Sequence, residues 1–249
     1  MPDPSSKFER DPELVELLYR KYAKDGVRIS SLRQNIRFWV KKSLWIGVTK
    51  GSLRLKRLID VIGSTLGFTL LSPVFLILYL SIRIEDGPPA IFAQERVGKL
   101  GVPFRMYKFR SMIKGAEGMR DELEDLNETG GVIFKIKRDP RITRVGHFMR
   151  RYSLDELPQL YNVLKGDMSL VGPRPHPVTD VSKYTLEHRR RFEITPGLTC
   201  FWQVSGRSEI GFEKQVDLDM QYIQSQSFWL DLVLLLKTIP AVIFGRGAY

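Results

Sequence analysis

From Val61 to Ile82 the chain runs for 22 residues without a charged side chain. A helix of that length reaches across a hydrocarbon core of about 30 Å, so the rest of the chain must fold around a segment that prefers lipid to water. The run stands too far from the start, and lacks a small-residue cleavage site behind it, to be a removable leader. Arg54, Lys56 and Arg57 precede it, and Arg83, Glu85 and Asp86 follow. The positive-inside rule places the N-terminal side in the cytoplasm. A straight crossing then carries everything after residue 86 out of the cytoplasm. Ser72-Pro73, in the middle of the run, allows another course. Proline removes a backbone donor and clashes with the preceding turn, and a sharp kink returns the chain to the face it entered from. The freed carbonyls then need cover from Ser72, Thr69 or protein. A kinked span and a re-entrant hairpin both satisfy these residues.

The formal charge of +11 is concentrated ahead of that run: residues 1–57 hold 14 Lys/Arg against 6 Asp/Glu, and the remainder 25 against 22. Such a flank suits anionic inner-membrane lipids better than nucleic acid, whose footprint is a basic stripe on a folded domain; no nucleic-acid partner is expected. One cysteine, Cys200, excludes an internal disulfide and a Cys-rich zinc site and agrees with a reducing compartment. Asp11-Pro12 opens one short helix through Tyr22. Ser31-x-x-Gln34 has capping-box spacing and opens a second, with Leu32, Ile36, Trp39, Val40 and Leu44 on one face and Arg33, Arg37, Lys41 and Lys42 on the other. That is the composition of an interfacial helix; a helix packed on the soluble part is the alternative.

Beyond Gly87-Pro88-Pro89 the pattern is mixed α/β. Ile91-Phe92-Ala93 and Phe104-Arg105-Met106-Tyr107 read as strands, 157–165 and 213–226 as helices, and the acidic stretch 115–128 as a solvated helix or mobile loop. Phe228 to Phe244 is apolar but broken by Asp231, Lys237 and Pro240, so it reads as a surface or core helix and not a second span. The expected division is 1–52, a basic amphipathic extension; 53–84, the membrane helix; and 85–249, a catalytic domain.

Asp155 and Glu156 carry the strongest chemical signal. Ser153-x-x-Glu156 has capping-box spacing, and a helix cap alone accounts for Glu156. Pro158 fits the first turn better if Asp155 is the cap. In both cases Asp155 stands at a helix N-terminus, which favours an anion. Carboxylates are also nucleophiles for phosphoryl transfer, and such a pair holds Mg²⁺ against phosphate oxygens. Arg150, Arg174, Lys108 and Arg110 supply cations whose geometry suits a diphosphate; surface ion pairs are their plain alternative. Prolines on both sides of Arg174 restrict its backbone and favour a binding role. Asp139-Pro140-Arg141 reads as a turn with an ion pair across it, and Asp167 as a turn residue. His147, His176 and His188 share no metal-ligand spacing. A Walker lysine and a Gly-x-Ser-x-Gly elbow are both missing.

Read in order, these segments resemble the bacterial sugar transferases. They are Lys56-Arg57…Asp60, Ser72-Pro73, Gln94-x-Arg96-x-Gly98, Lys108-Phe109-Arg110-Ser111-Met112, Asp139-Pro140-Arg141-Ile142-Thr143, Ser153-Leu154-Asp155-Glu156-Leu157-Pro158-Gln159, Gly166 to Pro175, Pro196-Gly197-Leu198-Thr199 and Trp202-Gln203-Val204-Ser205-Gly206-Arg207. The resemblance is to the monotopic polyprenyl-phosphate hexose-1-phosphate transferases and covers the chain from about residue 53 onward. It implies transfer of sugar-1-phosphate from a UDP-sugar to undecaprenyl phosphate with release of UMP, the initiating step of exopolysaccharide or O-antigen-type assembly. It further implies that Asp155 is the nucleophile of a covalent phosphosugar intermediate, that Glu156 with Asp155 holds Mg²⁺, and that Arg150 and Arg174 contact phosphate. By the same resemblance, Ser72-Pro73 breaks a re-entrant helix, leaving the catalytic domain on the cytoplasmic face of the bacterial inner membrane. Trp202, Gln203 and Arg207 mark a nucleotide or sugar pocket, and Cys200 stands where relatives commonly have glycine.

The expected fold is therefore a helix-rich, membrane-associated α/β protein: a re-entrant helical hairpin, a small catalytic domain and interfacial amphipathic helices. Glucose or galactose is the expected sugar, and the apolar C-terminal stretch is a candidate homodimer contact. A membrane-tethered scaffold without catalysis is the alternative from another functional class.

Overall fold

The structure, a computed structural model, describes residues 27–119, 121–127, 134, 136, 138–206 and 210–244. The helix expected near Asp11–Tyr22 lies outside them. The chain divides into two compact units, Met1–Leu53 and Arg54–Tyr249. Helix α1 is Val27–Asp86. In the first unit Ile36, Trp39 and Val40 are exposed. Ser31 falls inside helix that is already running at Val27, so the capping-box start at Ser31 is corrected.

In the second unit, α1 carries the apolar run. Gly51–Asp86 is long and apolar enough to cross a membrane, and little of its apolar stretch is buried against the protein. Its inward face repeats every three or four residues, as a helix lying along a domain requires. The Lys56 ammonium donates to Asp231 Oδ2 (2.6 Å) and Val171 O (2.9 Å). Arg57 donates to the carbonyls of Val163 and Leu164, capping a helix end. Asp60 Oδ1 accepts from Leu170 N (2.8 Å) and Ser169 Oγ (3.0 Å). Farther along, Leu78 and Ile82 pack with Ala90, Phe109 and Met149. Near the end, the Glu85 carboxylate accepts from Arg144 N (2.8 Å) and Val145 N (3.1 Å).

The break expected at Ser72-Pro73 is not a gap in the helix, which includes Pro73. Proline at 73 deprives the Thr69 carbonyl of its usual donor four residues on. Ser72 Oγ donates to that same carbonyl at 2.9 Å. The hydroxyl substitutes for the missing N–H, which is the cover that lipid surroundings demand.

Gly87 at φ 67° and a cis Pro88–Pro89 peptide lead into β1 (Ile91–Val97), which pairs antiparallel with β2 (Pro103–Phe109), Ile91 opposite Phe109 and Val97 opposite Pro103. A 3₁₀ turn, Asp121–Leu126, occupies the acidic stretch. Then follow α2 (Arg144–Arg151), α3 (Gln159–Lys165), β3 (Ser169–Val171), α4 (Val178–Val181), β4 (Gly197–Thr199), α5 (Phe201–Ser205), α6 (Phe212–Ser225) and α7 (Phe228–Phe244). Strands β3 and β4 run parallel, Ser169 opposite Gly197 and Val171 opposite Thr199. Beyond them the backbones close further: a methyl group on Gly197 would lie 2.0 Å from Gly172 N, so only glycine allows the approach. The core beneath gathers Met106, Leu160, Val163, Met168, Leu170, Val171, Tyr222 and Leu234. Asp231, one of the residues that argued against a second span in Phe228–Phe244, is buried between Lys56 and the Tyr222 hydroxyl, which donates to it at 2.6 Å. The opposite side of α7 exposes Trp229, Leu236, Ile239 and Ile243.

Candidate active site

Helix α2 is started by Thr143, whose hydroxyl accepts from Gly146 N at 2.9 Å, an ordinary N-cap. It ends by presenting Arg150. Three residues later Ser153 adopts φ 53°, ψ 24°, a left-handed conformation uncommon outside glycine and costly enough to suggest a functional constraint. The 3₁₀ turn Leu154–Glu156 follows, then Pro158 and α3. The capping expectation is corrected here. Ser153 makes no side-chain capping hydrogen bond, and Pro158 occupies the N-cap of α3. Asp155 lies in the turn before that helix. Glu156 faces a stronger partner than a backbone N–H: the Arg174 fork donates to both of its oxygens, and Lys108 Nζ stands 3.6 Å away. A buried carboxylate gains more from a bidentate guanidinium than from a neutral donor.

A cavity of about 1090 Å³ opens over this turn, with Asp155, Lys108, Arg110, Arg150, Arg174 and Trp202 on its wall. The two acids differ sharply. Burial pushes the Asp155 carboxyl above its usual range, and the neighbouring Glu156 charge adds to this against Lys108, Arg150 and Arg174. Burial works against ionised Glu156 too, but Arg174 and Lys108 outweigh it and hold that carboxyl at about 2. Burial also lowers Lys108 to about 8, with Arg174 and Arg96 adding to the effect and Glu156 and Asp155 opposing it. Glu156 is thus a fixed anion under Arg174, whereas Asp155 is a poorly solvated carboxylate facing open volume. Such divergence between neighbouring acids commonly marks separate chemical roles.

The other expected site residues fall into three groups. Arg150 lines the cavity and its Nε donates to Ser111 Oγ at 3.0 Å. Arg110 also lines it, but its Nη2 reaches Gly87 O (2.6 Å) and Asp86 (3.0 Å) at the end of α1, leaving Nε and Nη1 without a hydrogen-bond partner among the described residues. Trp202 lines the cavity with its indole N–H likewise unpartnered there. Gln203 accepts from Cys200 Sγ at 3.2 Å and is not on the cavity wall. Arg207 lies outside the described residues. Cys200 has extended backbone, φ −151° and ψ 172°, which any side chain adopts, so this position does not need glycine. Asp139 and Arg141 form the expected turn pair, Nη2 to Oδ2 at 2.6 Å, and Asp167 is a turn residue bonded to Lys165 at 3.0 Å.

Two cavity residues escaped sequence reasoning. Arg96 Nη1 donates to Pro175 O at 3.0 Å and so grips the turn that holds Arg174; its place in Gln94-x-Arg96-x-Gly98 was the available signal. His176, next in sequence to that turn, also lines the wall. Among the described residues no three His, Cys, Asp or Glu side chains cluster to hold a metal ion.

The fold and this cavity define a class: a protein with an apolar helix packed along a small α/β domain, whose cleft gathers Arg96, Lys108, Arg110, Arg150 and Arg174 on the wall that holds buried Asp155, a charge pattern suited to an anionic ligand. Residues 51–245 match the bacterial sugar transferases, and the chain belongs to that family. It is 48% identical over 194 residues to the galactosyl transferase CpsE of Streptococcus agalactiae, covering 78% of this chain and 43% of that protein. It is 41% identical over 204 residues to the undecaprenyl-phosphate galactose phosphotransferase of Salmonella typhimurium, covering 80% and 43%. With the exopolysaccharide production protein ExoY of Rhizobium meliloti it shares 38% over 198 residues, covering 78% and 88%. The chain thus spans less than half the length of the first two relatives and most of the third.

Proposed function

We propose that this chain is a phosphoglycosyl transferase that moves sugar-1-phosphate from a UDP-sugar to undecaprenyl phosphate, starting exopolysaccharide or O-antigen-type assembly. The observation that carries this reading is buried Asp155 on the wall of a cavity shared with Lys108, Arg150 and Arg174. Asp155 attacks the donor's β-phosphorus, the bond from that phosphorus to the bridging oxygen breaks, and UMP leaves with the electron pair. An oxygen of undecaprenyl phosphate then attacks the same phosphorus, restoring the Asp155 carboxylate and yielding undecaprenyl-diphosphate sugar. Arg174, Lys108 and Arg150 neutralise charge on the phosphates, the usual task of protein cations in phosphoryl transfer. Mg²⁺ needs only one or two carboxylates beside phosphate oxygens, and Asp155 on the cavity wall would hold it together with the donor diphosphate; Glu156, expected as its second ligand, has both oxygens engaged by Arg174 and would have to release one to join. Bound there, the ion would supply further charge neutralisation. Relatives are named for galactose and for glucose, and one of these two hexoses is the proposed cargo. Purified chain given undecaprenyl phosphate, Mg²⁺ and a panel of UDP-sugars should release UMP with UDP-galactose or UDP-glucose. Silence with every donor would favour a non-catalytic scaffold.

The same reading places the catalytic domain on the cytoplasmic face, with α1 entering and leaving one leaflet. Support comes from Asp60 and Glu85, near the two ends of the apolar run, which bind the same compact unit. The exposed apolar side of α7 then rests at headgroup level, since Asp231 is tied to Lys56 where the run begins. With Cys200→Ser as background, Arg54→Cys and Lys99→Cys should both react with an impermeant maleimide in inverted vesicles and neither in spheroplasts. Labelling of Lys99→Cys in intact spheroplasts would sink the re-entrant course.

A further inference from the structure

The turn carrying Arg174 is held by its own backbone. Four consecutive carbonyls are engaged: Pro173 O by Gly197 N at 2.9 Å, Arg174 O by Arg191 Nη2 at 3.5 Å, Pro175 O by Arg96 Nη1 at 3.0 Å, and His176 O by Val97 N at 3.0 Å. Arg191 comes from the 3₁₀ turn His188–Glu193, is 3% exposed, and reaches much further than one carbonyl. Its Nη1 donates to the Tyr184 hydroxyl at 3.0 Å, and its Nη2 lies 3.3 Å from His176 Nε2 and 2.5 Å from Asp219 Oδ2 of α6. Burial first, and then the charges of Arg191, Arg96 and Arg174, hold the His176 imidazole far below its ordinary range. It is therefore neutral, and its Nε2 accepts from Arg191.

A buried ion pair contributes little net stability, because desolvation cancels most of the Coulomb gain. The Arg191–Asp219 pair is almost completely hidden, yet Arg191 reaches the backbone carbonyl of Arg174, whose guanidinium grips Glu156. Arg174 both grips Glu156 and lines the open cavity, so the position of its turn decides how the guanidinium is shared between them. Ion-pair chemistry at the back of the turn thus bears on phosphate recognition at its front.

We propose that Arg191, held by Asp219, is a positioning residue that fixes the Arg174 turn so that its guanidinium meets Glu156 and the donor diphosphate together. This rests on the proposed transferase activity. The test is a double-mutant cycle on the full-length chain in nanodiscs: Arg191→Lys and Asp219→Asn, each alone and combined with Arg174→Lys. Both kcat and KM for UMP release are measured, with UDP affinity by calorimetry and melting temperature alongside. With Arg174 intact, each substitution is expected to lower kcat/KM about tenfold, within the coupling found inside one hydrogen-bond network. With Arg174→Lys, the further loss should be less than about twofold, since sites that act through one another are not additive. Equal losses in both backgrounds would mean that Arg191 merely supports the fold, and would overturn the proposal. Should Asp219→Asn fail to fold, Arg191→Lys carries the cycle alone. If the wild-type chain releases no UMP, the activity reading fails, but the cycle read on UDP affinity still decides positioning. A wild-type chain that binds no UDP overturns both.

Discussion

Replacing Asp155 with asparagine is expected to lower UMP release by on the order of 10⁴-fold or more, as loss of a nucleophile does elsewhere. No labelled sugar-phosphate should remain on the protein. The substitution is nearly isosteric, so the turn after Ser153 and the cavity wall are kept. It also separates chemistry from folding. Burial raises the Asp155 carboxyl above its ordinary range, so ionising it costs more in the folded state than in the unfolded chain. Ionised Asp155 is therefore a liability to stability at any pH above that raised value, and the contribution returns as pH falls through it. The asparagine variant should melt at the same temperature as the wild type or higher. A dead but slightly more stable protein is the signature of a group retained for reactivity. Substantial turnover by Asp155→Asn would instead require direct transfer from donor to acceptor within a ternary complex.

Arg174→Ala should be damaging in both respects. Glu156 is held at about 2 against an ordinary 4.5, burial opposing its charge while Arg174 and Lys108 prevail. A depressed carboxylate contributes stability that is complete above its unfolded value and is lost as pH falls toward the folded one. The window is therefore roughly pH 4.5 down to 2, and the contribution is roughly 3 kcal/mol. Removing Arg174 leaves a largely buried anion with Lys108 as its remaining partner, so a loss of about 3 kcal/mol at neutral pH is expected. The acid-side slope of stability across that window should flatten. Adding Glu156→Gln removes the stranded charge and should recover much of the stability. Turnover should not recover, because losing one electrostatic stabiliser of a developing anion costs about 10²–10³-fold. Denaturation curves between pH 2 and 8, paired with UMP release, measure both effects. Unchanged stability would mean that Lys108 alone balances Glu156.

The legible parts of this chain were those whose cause is local. The charge-free run, the apolar-plus-Asp231 composition of Phe228–Phe244, and the helices near 157–165 and 213–226 all follow from periodicity within one element. Strand β1 was read only as far as Ala93, because Gln94-Glu95-Arg96 looks like loop until its hairpin partner is known. Strands β3 and β4 are three residues each, too short for any period. Their pairing depends on the close contact of Gly172 with Gly197, residues far apart in the chain. At the site, the acid pair and Arg174 were visible as residue types. Their division of labour was not, because it rests on the left-handed Ser153 and on an arginine arriving from 18 residues away. Arg96 and Arg191 were missed for a related reason: an arginine in a polar stretch looks solvated until the carbonyls it holds are in view.

The contact between Glu85 and the first turn of α2 gives the anchor a second role as a gauge of height. Glu85 receives the N–H groups of Arg144 and Val145, and Arg150 sits on the last turn of the same helix, about 9 Å further along at 1.5 Å per residue. In the re-entrant reading, how deep the apolar segment sits then sets how far the reacting groups stand above the lipid surface. A phosphate on a long isoprenoid tail has limited freedom to rise from that surface. Leaflet thickness and headgroup packing would thereby become part of the kinetics of the proposed transfer, acting through an anchor remote from the reacting groups.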